Sequence, residues 1–274
     1  MKQTLYNVDS KQKTRQVTFE YERTDEGYTI YRNSGLVGGA IVSQPSIFIT
    51  KGKASRTLDQ QVNLEFNALI SKAKDKGYKE TIEEVGSVKT DANGSKKAML
   101  AKDPKGKLES LIKGKPGKAS KKLDGVRMTI SYEDEVLNTS SRGGKSYNIV
   151  ATEILKDPCL IEFFNNYPDY QLDGEIYCHG EILEDISGAA RKQEWVESRM
   201  GHLQFWIFDI LAEDLTFEER LEILETIKPK TNRIVIVEHV EIKTYQELKD
   251  LHDKWVLEGF EGAIWRDSKA LYKV

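Results

Sequence analysis

The sequence predicts an α+β protein: a small N-terminal β-sheet plus helix domain, followed by a larger domain built on antiparallel sheet. Three observations carry this expectation. Several short runs alternate apolar and polar residues with period two. Helical spacing appears between them in no regular βα order, which argues against a parallel doubly wound sheet. A stretch rich in Gly, Lys and Ser separates the front of the chain from the rear. The 274 residues, 39% hydrophobic and 31% charged, have the composition of an ordinary globular protein of one or two cored domains.

In "QVTFEYE", Val17, Phe19 and Tyr21 fall on one face. "GYTIYR" continues the alternation with Tyr28 and Ile30, and Arg32 closes that face. Asp25 to Gly27 supplies the turn of a hairpin, and "NSGLVGGAI" offers glycines for a tight turn. Residues 57–77 switch to helical spacing with Val62, Phe66, Leu69 and Ile70, and Gly77 is the expected stop. The first domain is therefore drawn at 1–84, a linker at 85–96 and the second domain at 97–274, with a short helix around 107–112. From residue 122 strands dominate: "GVRMTISY", "YQLDGEIYC", "LQFWIFDIL" and "RIVIVEHVEI". Two capping boxes, Thr216 with Glu219 and Thr244 with Glu247, open helices between and after them.

Charge is distributed unevenly. Residues 1–122 hold 24 Lys and Arg against 14 Asp and Glu, and residues 123–274 hold 17 against 30. The basic front half suits a polyanion such as nucleic acid; uneven solvated faces would give the same count. No apolar run reaches membrane-spanning length, and the first residues lack a signal-peptide core. Cys159 and Cys178 fit a reducing, cytoplasmic setting and read as plain thiols outside any metal-ligand spacing. His179, His202, His239 and His252 form no cluster along the sequence, which argues against a zinc enzyme.

Chemistry concentrates in a series of charged residues beside glycines at apparent strand ends. They are Lys122, Asp124, Gly125 and Arg127; Ser141, Arg142 and Gly143; Asp173, Gly174 and Glu175; and Glu261 with Gly262. Phe208 and Asp209 lie between the last two groups. Glycine permits close backbone approach to a ligand. Taken singly, each charged residue also reads as a solvated surface group.

Their order and spacing resemble the covalent nucleotidyltransferases, in particular the compact ATP-dependent DNA ligases that phages encode. The family signature Lys-x-Asp-Gly-x-Arg is met in full by Lys122, Asp124, Gly125 and Arg127, and the resemblance covers about 97–274. It implies an adenylation domain in which Lys122 attacks the α-phosphorus of ATP and becomes lysyl-AMP. A lysine amine of ordinary basicity is protonated and inert near neutrality, so such a pocket must favour the neutral amine. The resemblance further implies that Glu175 contacts the ribose or helps place Mg²⁺, with Glu261 as the second carboxylate near the metal. Arg127 and Arg142 would hold ribose hydroxyls or phosphate oxygens, and Phe208 would stack on adenine. Ser120 and Leu123 flank the nucleophile and join the ATP-binding set. Arg127 favours ATP over NAD, since NAD-dependent members carry a small apolar residue there. Nicked duplex DNA is the implied partner, and a monomer is expected. RNA ligation by the same pocket, or nucleic-acid binding with a vestigial pocket, are the alternatives.

Two departures stand out. Ser120 occupies a position where the family often has Glu or Gln reading the adenine amino group. Family members also continue past "LYKV" to a Lys-x-Lys strand and an OB-fold, so the sequence is expected to be a catalytic fragment truncated before both. The front domain resembles WGR-type domains through "LYNVDSKQKTR" and "SGLVGG", although Ser34 and Leu36 replace the namesake Trp and Arg.

Overall fold

The computed structural model describes residues 1–9, 11–85 and 96–273, and divides into two compact units, Met1–Lys97 and Ala98–Val274. Most of the expected 85–96 linker lies outside the described residues.

The first unit is a five-stranded antiparallel sheet of β1 (Lys2–Val8), β2 (Thr14–Thr24), β3 (Gly27–Leu36), β4 (Ile41–Ser43) and β5 (Ile47–Ile49), with one helix, α1 (Leu58–Lys74). The β2–β3 hairpin closes on Thr24 opposite Gly27, leaving a two-residue turn at Asp25 and Glu26. Gly27 has φ +147°, and a Cβ there would meet the Ile49 carbonyl, so only glycine suits the position. Val17, Phe19 and Ile30 bury against Val62, Phe66 and Ile70 of α1, as the two periodicities require. Thr57 caps α1 reciprocally with Gln60, and the chain leaves the helix through Gly77 at φ +85°.

The second unit holds two sheets. Its elements are α2 (Leu108–Ile112), β6 (Gly117–Lys122), β7 (Val126–Glu133), β8 (Val136–Ser140), α3 (Pro158–Asn166), β9 (Gln171–Tyr177), α4 (Leu183–Ala190), α5 (Glu197–Met200), β10 (Gln204–Leu211), α6 (Phe217–Leu224), β11 (Ile234–Ile236), β12 (Val240–Ile242), α7 (Tyr245–Leu257) and β13 (Gly262–Asp267). One sheet has the order β11-β10-β9-β7-β8, and the other β12-β6-β13. Every pairing is antiparallel except β10 with β11. Both expected capping boxes form, at the starts of α6 and α7.

Two sequence expectations are corrected. "RIVIVEHVEI" is not one strand: Ile234–Ile236 joins the large sheet and Val240–Ile242 the small one. The Val237 amide still bonds the Ile207 carbonyl, so the chain leaves the first sheet only after that bond. The Lys-rich stretch before residue 122 also holds strand β6, the centre of the small sheet. Its alternating lysines hid it: Gly117, Ala119 and Ser120 are buried while Lys118, Lys121 and Lys122 are half-buried.

Candidate active site

Strands from both sheets wall a single cleft of about 590 Å³ in the second unit. Residues 120–125, at the end of β6 and the turn into β7, form one side of it, and β13 forms another. In the β6–β13 register Ser120 faces Ile264 and Lys122 faces Gly262. Period two then puts Ser120, Lys122, Ile264 and Arg266 on a common face. The Glu261 amide donates to the Lys122 carbonyl at 3.0 Å, which fixes the two backbones side by side. The Lys122 ammonium donates to the Glu261 carboxylate in an ion pair, both side chains remaining partly exposed.

Below this pair lie buried charges. Arg127, on β7, donates from Nε and Nη2 to the two oxygens of Asp173, each at 2.6 Å, and from Nη2 to the Met99 carbonyl at 2.9 Å. Asp173 also accepts from the Tyr272 hydroxyl at 2.5 Å, and that hydroxyl accepts from the Met99 amide at 2.8 Å. Burial works against the Arg127 charge, but the Asp173 carboxylate more than offsets it and raises the guanidinium pKa. A second pair joins Arg220 to Asp209 at 2.7 and 3.2 Å, both 1% exposed. Arg266 lies 3.8 Å from the same carboxylate and donates to the Ser120 hydroxyl at 3.0 Å.

Glu175 differs from these acids. Only the Gly125 amide, at 3.1 Å, bonds its carboxylate among the described hydrogen bonds. Burial pushes its pKa up to about 7, against the opposing pull of Arg127 and of the Gly125 bond. Gly125 allows this approach because a Cβ would lie 2.5 Å from the Ile176 carbonyl and 3.1 Å from the Glu175 carboxylate. With Glu261 also lining it, the cleft offers two carboxylates, one of them under-neutralised. That set fits a hard divalent cation such as Mg²⁺.

Phe208 reaches the cleft through a β-bulge. Ile207 pairs with Gly174 and Asp209 with Asp173, so Phe208 has no partner on β9 and the strand is re-aimed there. Its ring is 8% exposed, with the Arg127 and Arg266 guanidinium groups 4.8 and 5.3 Å from its centroid. Leu123 lines the same cleft. Thus Ser120, Lys122, Leu123, Arg127, Glu175, Phe208 and Glu261 come together in one wall set. Arg142 does not line the cleft; its Nε donates to the Ala98 carbonyl at 3.0 Å, next to the Met99 that Arg127 holds.

Several cleft residues escaped the sequence reading. Arg266 and Tyr272 belong to no expected station, and Arg220 reads as one more surface charge of an amphipathic helix. Period two along β13 was the available signal for Arg266; Arg220 and Tyr272 had none. Elsewhere, the fold brings together three residues that the sequence reading did not group: Cys178, Glu181 and His202.

The fold of the second unit has known counterparts. The family described as ATP dependent DNA ligase domain matches residues 98–274, and the chain belongs to that family. A DNA ligase of African swine fever virus is 35% identical over 108 residues, which is 37% of this chain and 25% of the viral protein. A second isolate's DNA ligase is 29% identical over the same length. The chain thus spans about a quarter of the curated relatives it matches. Among solved structures, a Lig E DNA ligase superposes with a TM-score of 0.50 at 21% identity, over 65% of this chain and 64% of that one. One denoted Pmar-Lig_PreS3 gives 0.51 at 18% identity, over 64% and 43%. These likenesses show a shared α+β fold with antiparallel sheets. No helix among the described residues is long and apolar enough to cross a membrane.

Proposed function

We propose that this chain is the adenylation part of an ATP-dependent DNA ligase, with Lys122 as the nucleophile that carries AMP. The observation that carries this reading is the Lys122–Glu261 pair in a cleft also lined by Arg127, Arg266 and the buried Arg220. The Lys122 nitrogen forms a bond to the α-phosphorus of ATP while the bond to the pyrophosphate oxygen breaks. Before attack the ammonium gives up a proton, for which the contacting Glu261 carboxylate is the nearest acceptor. AMP then passes to the 5′-phosphate of a nicked duplex, and the 3′-hydroxyl displaces it to seal the strand.

Positioning and charge neutralisation supply most of the rate in phosphoryl transfer. Arg127 is oriented by Asp173 and keeps Nη1 for a ribose or phosphate oxygen. Arg142, anchored through Nε on Ala98, adds a second guanidinium behind it. Leu123 and Phe208 supply the apolar wall for the base, and Ser120, held by Arg266, sits beside it. Glu175 and Glu261 would hold Mg²⁺, which when bound supplies positive charge to the phosphate oxygens.

The first unit is proposed as a WGR-like module that contacts duplex DNA, in a monomer acting in the cytoplasm, including that of a phage-infected host. Repair or replication nicks are its proposed substrates. The basic surplus supports the DNA reading only weakly for this unit: residues 1–97 hold 16 Lys and Arg against 12 Asp and Glu. Residues 98–122, at the front of the second unit, hold 8 against 2.

The test is covalent labelling with α-labelled ATP and Mg²⁺, followed by peptide mass mapping. The expected result is one AMP on the peptide containing Lys122 and none on Lys122→Ala. Undiminished labelling of Lys122→Ala would overturn the proposal.

A further inference from the structure

Away from the cleft, the turn after β9 and the lead into β10 place three ligand-type side chains together. Cys178 directly follows β9, and the Glu181 amide bonds back to the Cys178 carbonyl at 3.2 Å. Gly180, with φ +90°, makes that tight turn possible. Cys178 and Glu181 therefore project from one tight turn, with two residues between them. His202 comes from the neighbouring chain: Gln204 pairs with Tyr177, which brings the residues just before β10 alongside those just after β9. The His202 Nε2 lies 2.6 Å from a Glu181 oxygen, and the ligand atoms of all three residues lie within 4.8 Å of one another. A tetrahedral ion with bonds of about 2.0–2.3 Å places its ligands roughly 3.3–3.7 Å apart, so the set needs to draw in by only about 1 Å to close. The adjacent His179 is engaged otherwise, through its Nδ1 contact with the Tyr177 hydroxyl at 2.9 Å and its ring stacked on Phe260.

We infer that Cys178, Glu181 and His202 form a binding site for a borderline-soft divalent cation of the zinc class, with water completing a tetrahedron. One thiolate and one imidazole select zinc over magnesium or calcium, which take all-oxygen sets. On binding, the Cys178 thiol proton passes to solvent, and thiolate plus carboxylate neutralise the two charges of the ion. The ion staples the ends of β9 and β10. Those strands carry Asp173 and Glu175, and Phe208 and Asp209, so the staple braces the bulged pair that shapes the cleft. The inference is independent of the proposed ligase activity.

The test uses the whole chain after chelator treatment, titrated with Co²⁺ as a spectroscopic stand-in for zinc. One equivalent is expected to produce a thiolate-to-cobalt charge-transfer band with tetrahedral d–d bands, and Zn²⁺ to abolish both by displacement. Oxygen ligands in the cleft cannot give the charge-transfer band, so that site does not confuse the result. Cys178→Ser is expected to remove the band, and His202→Ala and Glu181→Gln each to weaken binding by roughly tenfold or more. Zn²⁺ should raise the melting temperature of the parent chain and leave that of Cys178→Ser unchanged. No band in the parent, a band that survives Cys178→Ser, or unaltered affinity in both other variants would each overturn the inference.

Discussion

Glu175→Gln separates the electrostatic cost of the cleft from its chemistry. Burial raises the Glu175 pKa from 4.5 to about 7. At about 1.36 kcal/mol per pH unit, a shift of that size disfavours the ionised side chain in the folded state by about 3 kcal/mol. The sign follows from proton binding: the folded carboxyl holds its proton more tightly than the unfolded one. Its contribution to stability is therefore complete below pH 4.5 and is lost as the pH rises through about 7. Glutamine keeps an oxygen for the Gly125 amide and never ionises, so the variant lacks this component. The two proteins should have similar stability at pH 4, while at pH 8.5 the variant should be more stable by up to about 3 kcal/mol. Urea unfolding followed by tryptophan fluorescence suits the question, because Trp195, Trp206, Trp255 and Trp265 all lie in the second unit. Parallel pH profiles, or a variant weaker than the parent at pH 8.5, would refute the reasoning. If Glu175 serves the nucleotide as proposed, the stabilised variant also loses lysyl-AMP formation, the usual exchange between stability and function.

Other changes probe the support of the cleft. Asp209→Ala leaves Arg220 buried without its carboxylate and should cost about 3–5 kcal/mol in the same urea assay. Tyr272→Phe removes the hydroxyl shared by Asp173 and the Met99 amide; a loss of about 1–3 kcal/mol is expected, with weaker ATP binding by calorimetry. Gly174→Ala would set a Cβ 2.3 Å from the Trp206 carbonyl and 2.7 Å from the Phe205 ring, costing about 1–3 kcal/mol and altering the near-ultraviolet circular dichroism.

How much was legible in the sequence depended on range. The capping boxes at Thr216 and Thr244 need only residues three apart, and both form as read. The β2–β3 hairpin was equally local, its turn and alternation lying in one continuous stretch. The division of "RIVIVEHVEI" between two sheets was not legible, because both halves carry the same alternation and only the partners differ. The bulge at Phe208 was hidden for a related reason: its cause is the register against β9, not the residues of β10. Strand β6 was masked by lysines that a cleft-facing strand keeps and a buried strand would not. Cleft-lining residues were legible where charged groups lie at or within a few residues of a glycine, as at Lys122, Glu175 and Glu261. Arg220, Arg266 and Tyr272 were not, since each works through a carboxylate distant in sequence. Cys178 and His202 meet only because β9 and β10 pair.

The charges of the cleft fall into two kinds, and the distinction limits what each can do. Asp173 and Asp209 are 1% exposed, and each is matched by a bidentate guanidinium. Breaking such a pair leaves an uncompensated buried charge at a cost of about 3–5 kcal/mol, so neither carboxylate can be surrendered to a passing ligand. Three of the bonds of Arg127 are already committed, two to Asp173 and one to Met99, which leaves Nη1 to face the cleft. The groups that can change partners are the others. Lys122 and Glu261 meet in a partly exposed pair, where exchange for a phosphate or a cation costs little. Glu175 gains from any cation that approaches, since burial disfavours its charge by more than the Gly125 bond and the neighbouring Arg127 favour it. A polyphosphate with a divalent ion supplies what those three side chains lack: an anion for the lysine and a cation for the two glutamates. On the proposed function, the buried pairs beneath fix the geometry in which that exchange would occur.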